Sequence, residues 1–381
     1  MLTLDVLIPT RNRARLLAGA IESLLRARVP EGLAVNIAVV DNGSADGTPH
    51  LLEWMAARHR GRIQIVHERR CGKSRALNAG IAATSSELVG MIDDDEEVAE
   101  GWYEEVFRAF TSHPELDFAG GPYSPVWATP PPSWIPSDYL AVLGDMDSTA
   151  EEHPYGPDFG GILKGGNAVI RRTTLQHLGP YAEYLGPAGP ARLLSCEDEE
   201  MYLRLVRSGA RGLYLPHLLV YHHICASRLT PGYFRRWCFW RGVSRGLMDR
   251  AHPMPVRYLA GVPRFLYGSA ARGLVRVAKA AVAASPERSA LSDELKGWDL
   301  AGYLWGRHIY TLARFSPVRS RRTLSVPFPQ TLGADELNGS TGTWNSSCYF
   351  EAHHGRPGSR DSDQACEFCM AERRRAPAPP V

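Results

Sequence analysis

Between residues 4 and 110, apolar residues fall into short continuous runs separated by longer stretches in which they recur every three or four positions. The short runs, residues 4–8, 35–40, 63–66 and 87–92, read as buried strands. Within residues 14–29, Leu16, Leu17, Ala20, Ile21, Leu24 and Leu25 share one face of a helix. Asp46, Gly47, Thr48 and Pro49 supply a cap and a first-turn proline for a second helix ending near Arg58. Residues 74–83 and 101–110 read as two further helices. This alternation predicts an α/β domain with a mainly parallel sheet and helices on both faces.

Ligands of such sheets bind beyond the carboxyl ends of the strands, so the residues that follow each apolar run matter most. They are Pro9, Thr10, Arg11, Asn12 and Arg13 after the first run, and Asp41, Asn42, Gly43 and Ser44 after the second. Gly72, Lys73 and Arg75 follow the third; Asp93, Asp94, Asp95, Glu96 and Glu97 follow the fourth. The four loops are expected to meet at one edge. Three aspartates at the end of a buried strand carry a charge that is costly to desolvate. A hard divalent cation completed by substrate phosphates and water resolves it most simply, the alternative being a solvated turn that favours the next helix N-terminus. Lys73 and Arg75 beside Gly72 suit a diphosphate, although solvated loop cations look the same in sequence. Asp41 before Asn-Gly-Ser either faces a base or ribose or satisfies the amides of its own turn.

The 381 residues, 44% hydrophobic and 22% charged, suffice for one large domain and an appendage. A net charge of +2 gives no reason to expect nucleic acid. Residues 1–5 lead straight into a strand without signal-peptide character, and charged residues interrupt every long apolar stretch, so a soluble or peripheral, cytoplasmic protein is expected. Seven scattered cysteines fit a reducing compartment. After about residue 229, aromatic and basic residues mix on helical segments: Phe234, Trp237, Phe239 and Trp240 with Arg235, Arg236 and Arg241, then Arg264, Arg272, Arg276 and Lys279. That pattern suits the surface of an anionic membrane, or a helical layer packing its aromatic stripe inward. From about residue 317 the composition is that of a disordered tail, in which Cys348, His353 or His354, Cys366 and Cys369 offer an incomplete zinc spacing.

Taken in order, Ile8-Pro9-Thr10-Arg11-Asn12-Arg13, Val40-Asp41-Asn42-Gly43-Ser44, Ser74-Arg75-Ala76-Leu77-Asn78-Ala79-Gly80 and Asp93-Asp94-Asp95 resemble family 2 glycosyltransferases with the GT-A fold. Gly165-Gly166-Asn167-Ala168-Val169-Ile170 resembles the acceptor-side strand of that family, and Glu197-Asp198-Glu199-Glu200 its acidic motif opening a helix. The resemblance spans about residues 3–245. It implies Mg2+ or Mn2+, a nucleotide-sugar donor of UDP, GDP or dTDP type, a glycan, lipid-linked or small-molecule acceptor, and an inverting displacement. Thr10 and Asp41 would bind the nucleoside, Lys73 or Arg75 would contact base or diphosphate, and Asp93 would lie near the ribose. Pro9, Arg11 and Asp94 would line the same site. Asp95 would hold the metal with Asp93 and His222, and Arg228 would reach the diphosphate. Asp198 would be the general base, with Glu197 its neighbour.

The expected organisation is a transferase domain over 1–230, a helical extension over 231–316 and a tail over 317–381. A dinucleotide-dependent dehydrogenase is disfavoured because no Gly-x-Gly-x-x-Gly follows the first strand. The remaining alternative is a relative that binds nucleotide or sugar without turnover; the presence of Asp95 and Asp198 favours activity.

Overall fold

β1 (Leu2–Thr10), β2 (Leu33–Asp41), β3 (Ile63–His67) and β4 (Leu88–Ile92) form over the four apolar runs, with α1 (Ala14–Arg26), α2 (Thr48–Arg58) and α3 (Lys73–Ala83) between them. The computed structural model describes residues 1–140, 143–144, 151–156, 159, 161–189, 192–282 and 289–310. The tail and its Cys348, Cys366 and Cys369 lie outside the described residues.

The sequence does not announce β5 (Glu96–Val98), which takes up the end of the acidic run before α4 (Trp102–Ser112). β6 (Phe118–Gly120), β7 (Tyr123–Trp127), the short α5 (Ser137–Leu140), β8 (His153–Tyr155), β9 (Asn167–Arg171) and α6 (Arg172–Leu178) follow. α7 (Glu197–Arg207), β10 (Gly212–Tyr214) and β11 (Val220–Ile224) complete the sheet region. The main sheet has the order β3-β2-β1-β4-β9-β6-β10-β8. β1 pairs in parallel with both β2 and β4, whereas β9 is antiparallel to β4 and β6. The chain therefore winds outward from β1 to β3 and returns to the other side of β1 with β4. That reversal opens a crevice above the carboxyl ends of β1 and β4, where Thr10 and Asp93 emerge.

A second sheet, β5-β11-β7, stands over this edge. Its register places His222 opposite Glu96, so strand pairing fixes the distance between the acidic run and the histidines. Buried Asn167, at the start of β9, ties the two sheets together. Its Oδ1 accepts from Trp102 Nε1 at 2.9 Å, and its Nδ2 donates to the carbonyls of Leu218 at 2.6 Å and Pro122 at 3.2 Å.

Beyond β11 come α8 (Pro231–Ala251), α9 (Arg264–Val282) and α10 (Ser289–His308). Thr230 caps α8, its hydroxyl accepting from Tyr233 N–H at 3.2 Å. Phe234 is fully buried edge-on against Trp134 and Tyr139, and Phe239 and Trp240 are partly buried against the cluster that holds Leu185, Val243 and Leu247, so much of the aromatic stripe of α8 packs inward. α8 and α10 run side by side with backbones in contact. A Cβ on Gly302 would lie 1.9 Å from the Phe239 carbonyl oxygen, and one on Gly306 2.2 Å from that of Val243. Among the described residues no helix is long and apolar enough to cross a membrane.

Candidate active site

At the crevice the first and fourth loops lock together. Thr10 Oγ1 donates to Asp94 Oδ2 at 2.8 Å. Arg13 Nη1 lies 2.9 Å from both Asp94 Oδ1 and Asp95 Oδ2. Asp94 is turned into the protein, and burial together with the neighbouring carboxylates outweighs Arg13 and pushes its carboxyl up to about 6.

Asp95 is 5% exposed. Besides Arg13 it accepts from Arg228 Nη2 at 2.8 Å, and His222 Nε2 stands 3.8 Å away. Burial works against its charge, yet His222, Arg228 and Arg13 hold the carboxyl well below the usual carboxylate range. His222 Nδ1 faces the Leu143 carbonyl at 2.9 Å, and its Nε2 lies 3.2 Å from Arg228 Nη1. The carbonyl can only accept, so Nδ1 carries a proton, and Nε2 is the ring nitrogen that faces both Asp95 and Arg228.

Lys73 Nζ donates to Asp93 Oδ2 at 2.7 Å and lies 3.6 Å from Glu197 Oε1. Burial opposes its charge, but Asp93, Glu197 and Asp198 hold the ammonium well above its ordinary value. Lys73, Arg13 and Arg228 thus neutralise Asp93, Asp94 and Asp95 from within the chain. The cost of a bare acidic cluster, which suggested a cation in the sequence, is already offset by these side chains.

Asp93, Asp95 and Glu96 each place a carboxylate oxygen within 4.8 Å of the others. An all-oxygen set of this kind, with an imidazole nitrogen beside Asp95, fits a hard divalent cation. Glu96 is named in sequence as part of the acidic run but not as a metal ligand. It is buried under Gly166, where a Cβ would meet its Oε1 at 2.3 Å, and its Oε2 accepts from Asp93 N–H at 2.9 Å. Burial, followed by the charges of Asp93 and Asp95, pushes its carboxyl well up.

The part of the crevice that sequence assigns to the nucleoside is built by β2 and the loop after β3. Asp41 Oδ1 accepts from Ser44 N–H at 2.9 Å, so one oxygen serves its own turn while Oδ2 lies 3.8 Å from His67 Nδ1. Asn42, given no role of its own in sequence, braces the neighbouring loop. Its Nδ2 donates to the Glu68 and Arg70 carbonyls at 2.8 and 2.9 Å, and its Oδ1 accepts from Gly72 N–H at 2.7 Å. Arg11 donates to Cys71, and its buried Nε has no partner. Arg75 turns away from the acidic run to Glu183, 3.1 Å distant, leaving Lys73 as the cation of this loop on Asp93. Pro9 precedes Thr10 on β1 and pairs with Val40 of β2.

α7 brings its first turn to the opposite wall. Asp198 Oδ2 accepts from Gly165 N–H at 3.1 Å, and Glu197 Oε2 is buried without a partner. Burial, then the charge of Asp198, lifts the Glu197 carboxyl to about 8 against the pull of Lys73. Gly186, at φ +83°, passes this wall with room for no side chain, since a Cβ would lie 3.0 Å from Ser74 Oγ and 3.3 Å from the Glu197 carboxyl carbon.

Residues 5–179 match the model of glycosyl transferase family 2. The chain is 23% identical over 184 residues to a glucosyl-dolichyl phosphate glucuronosyltransferase of Haloferax volcanii, covering 48% of this chain and 57% of that one. It is 27% identical over 218 residues to a pre-mycofactocin glycosyltransferase of Mycobacterium tuberculosis, covering 57% and 42% of the respective chains. The match thus spans about half the length of these relatives. A solved mannosyltransferase of Pyrobaculum calidifontis, in complex with GDP-Man and Mn2+, shares the fold at a TM-score of 0.53 and 19% identity, over 80% of this chain and 86% of that one. Residues 5–179, a little under half of the chain, are thus similar to glycosyl transferase family 2, and the sheet built around them has the GT-A fold.

Proposed function

We propose that the protein transfers a sugar from a nucleotide-sugar donor to an acceptor hydroxyl, in glycan or glycolipid assembly. The observation that carries this reading is the convergence of Lys73, Arg228, the Asp93–Asp95–Glu96 carboxylates and the Glu197–Asp198 pair on one sheet edge. Asp41 and Arg11 line the nucleoside end, where Arg11 Nε and one Asp41 oxygen keep capacity for a base or ribose. Asp93, Asp95 and Glu96 would hold Mg2+ or Mn2+, with His222 Nε2 beside them, and the ion would stabilise the departing diphosphate. Lys73 and Arg228 supply fixed positive charge to the same phosphates. With Glu197 keeping its proton at neutral pH, the role of general base falls to Asp198, a division between paired carboxyls that suits one acid and one base. A single displacement with Asp198 as base inverts the anomeric centre.

Calorimetry with UDP, GDP and dTDP, each with and without Mn2+, tests the reading. Metal-dependent binding of one nucleotide is expected; binding of none sinks it. Binding without any sugar transfer would favour the alternative, a relative that has kept the site and lost turnover.

A further inference from the structure

α9 presents a face that no other described element covers. Ala271, Leu274, Val275, Ala278 and Val282 recur at helical spacing along it, all exposed; Leu274 is 60%, Val275 55% and Val282 88% accessible. The opposite face, with Leu266, Ala270 and Gly273, is buried, and a Cβ on Gly273 would meet the Asp293 carbonyl of α10 at 2.5 Å. Aliphatic side chains this exposed and this aligned are unusual on a helix whose other side already packs.

The charges beside that stripe have one sign. α9 contains Arg264, Arg272, Arg276 and Lys279 and no carboxylate. Arg276 is held by Asp293, whereas Arg264, Arg272 and Lys279 make no ion pair among the described residues. Arg272 and Lys279, seven residues apart, line one border of the aliphatic stripe. The neighbouring α10 adds no free negative charge, since Asp293 is taken by Arg276 and Lys296, Glu294 by Arg235 and Asp299 by Arg245.

We propose that this face of α9 lies on an anionic lipid surface, with Leu274, Val275 and Val282 entering the acyl boundary and Arg272 and Lys279 at the headgroups. An aliphatic stripe bordered by cations matches that layered partner, whereas an acidic protein or a nucleic acid would leave the aliphatic stripe in water. The proposal uses no residue of the sugar-transfer site and stands or falls separately from it. It also narrows the contact, which the sequence pattern spread over α8 and the segments after it, to α9.

Flotation of the full-length chain with vesicles tests this. Binding is expected to phosphatidylcholine vesicles carrying about one quarter phosphatidylglycerol, to weaken with salt, and to be absent with phosphatidylcholine alone. Arg272→Glu with Lys279→Glu should weaken binding at least about 30-fold, at roughly fivefold per lost cation. Leu274→Ser with Val275→Ser should abolish stable flotation. Both changes are at exposed positions, and an unchanged urea unfolding midpoint would verify that the variants fold. No binding by the parent chain, or binding that survives both pairs, overturns the proposal. So does a dimer, seen by sedimentation equilibrium, that the Leu274 and Val275 changes dissolve, because a second copy would then own the face.

Discussion

Replacing Arg228 by leucine should move metal and nucleotide affinity in opposite directions. In the structure Arg228 Nη2 donates to Asp95 Oδ2 at 2.8 Å, and Arg13 reaches the same oxygen at 2.9 Å while also serving Asp94. A divalent ion that uses Asp95 must displace these donors. One hydrogen bond to a charged group contributes about 1.5–3 kcal/mol. Part of that is recovered when Arg13 closes on Asp95 alone, so the net relief is about 1.4 kcal/mol, or roughly tenfold tighter Mn2+ binding without nucleotide. The same substitution removes a cation from the diphosphate, so nucleotide binding without metal should weaken by about tenfold or more. Titration of Mn2+ by the loss of its free-ion paramagnetic resonance signal, alongside nucleotide calorimetry, measures both. Mn2+ affinity that is unchanged or lower in Arg228→Leu would refute the reasoning, because an Asp95 that is no ligand gains nothing by release. In the parent protein the same competition makes metal and nucleotide each favour the binding of the other.

Other expectations follow from individual side chains. Asp198→Ala should abolish transfer while leaving metal-dependent nucleotide binding within about twofold, and Asp95→Ala should abolish both; transfer assays with calorimetry separate them. Glu197 carries a raised carboxyl, so between pH 4.5 and about 8 the folded state holds a proton that the unfolded chain has lost. Stability from this group is therefore fully present at acid pH and declines as pH rises to about 8, by at most roughly 1.4 kcal/mol per pH unit. Glu197→Gln should flatten that slope in urea unfolding measured across pH 5–8, and an unaltered slope would contradict the assignment. Asn167→Leu removes three buried hydrogen bonds and should lower unfolding free energy by about 3 kcal/mol in denaturant titration.

The architecture was legible because β1 to β4 are short, apolar and separated by periodic helices, and their polar ends necessarily share an edge in a parallel sheet. Thr10, Asp93 and Lys73 could be singled out for the same reason, whereas Arg228 was named by resemblance alone. What sequence could not supply is pairing. Nothing local distinguishes Lys73 from Arg75, yet the first meets Asp93 and the second Glu183, because their positions on α3 face different walls. Glu96 reads as one more acid in a run until β5 turns it beneath Gly166, and Asn42 and Asn167 look like turn or motif residues until their long-range carbonyl partners are known. Arg13 was visible as part of the first motif, but its bridging of two aspartates more than eighty positions away is a property of the crevice. The cue that was available is stoichiometric, since an acidic triplet in a chain of near-zero net charge invites a search for its internal counterions.

The glycine contact between α8 and α10 has a mechanical corollary. Where backbones touch without side chains between them, sliding by a single residue would drive Phe239 or Val243 into the opposing helix, so the pair has one seating and no low-energy neighbour. α8 starts three residues after Arg228, and α10 carries α9 along its flank. The two helices behave as a splint, transmitting orientation from the crevice to the outer helix without the slack that side-chain interdigitation allows. Whatever plane α9 rests on thereby fixes the direction in which the crevice opens, and a methyl added at Gly302 or Gly306 would alter that bearing before it altered any residue of the site.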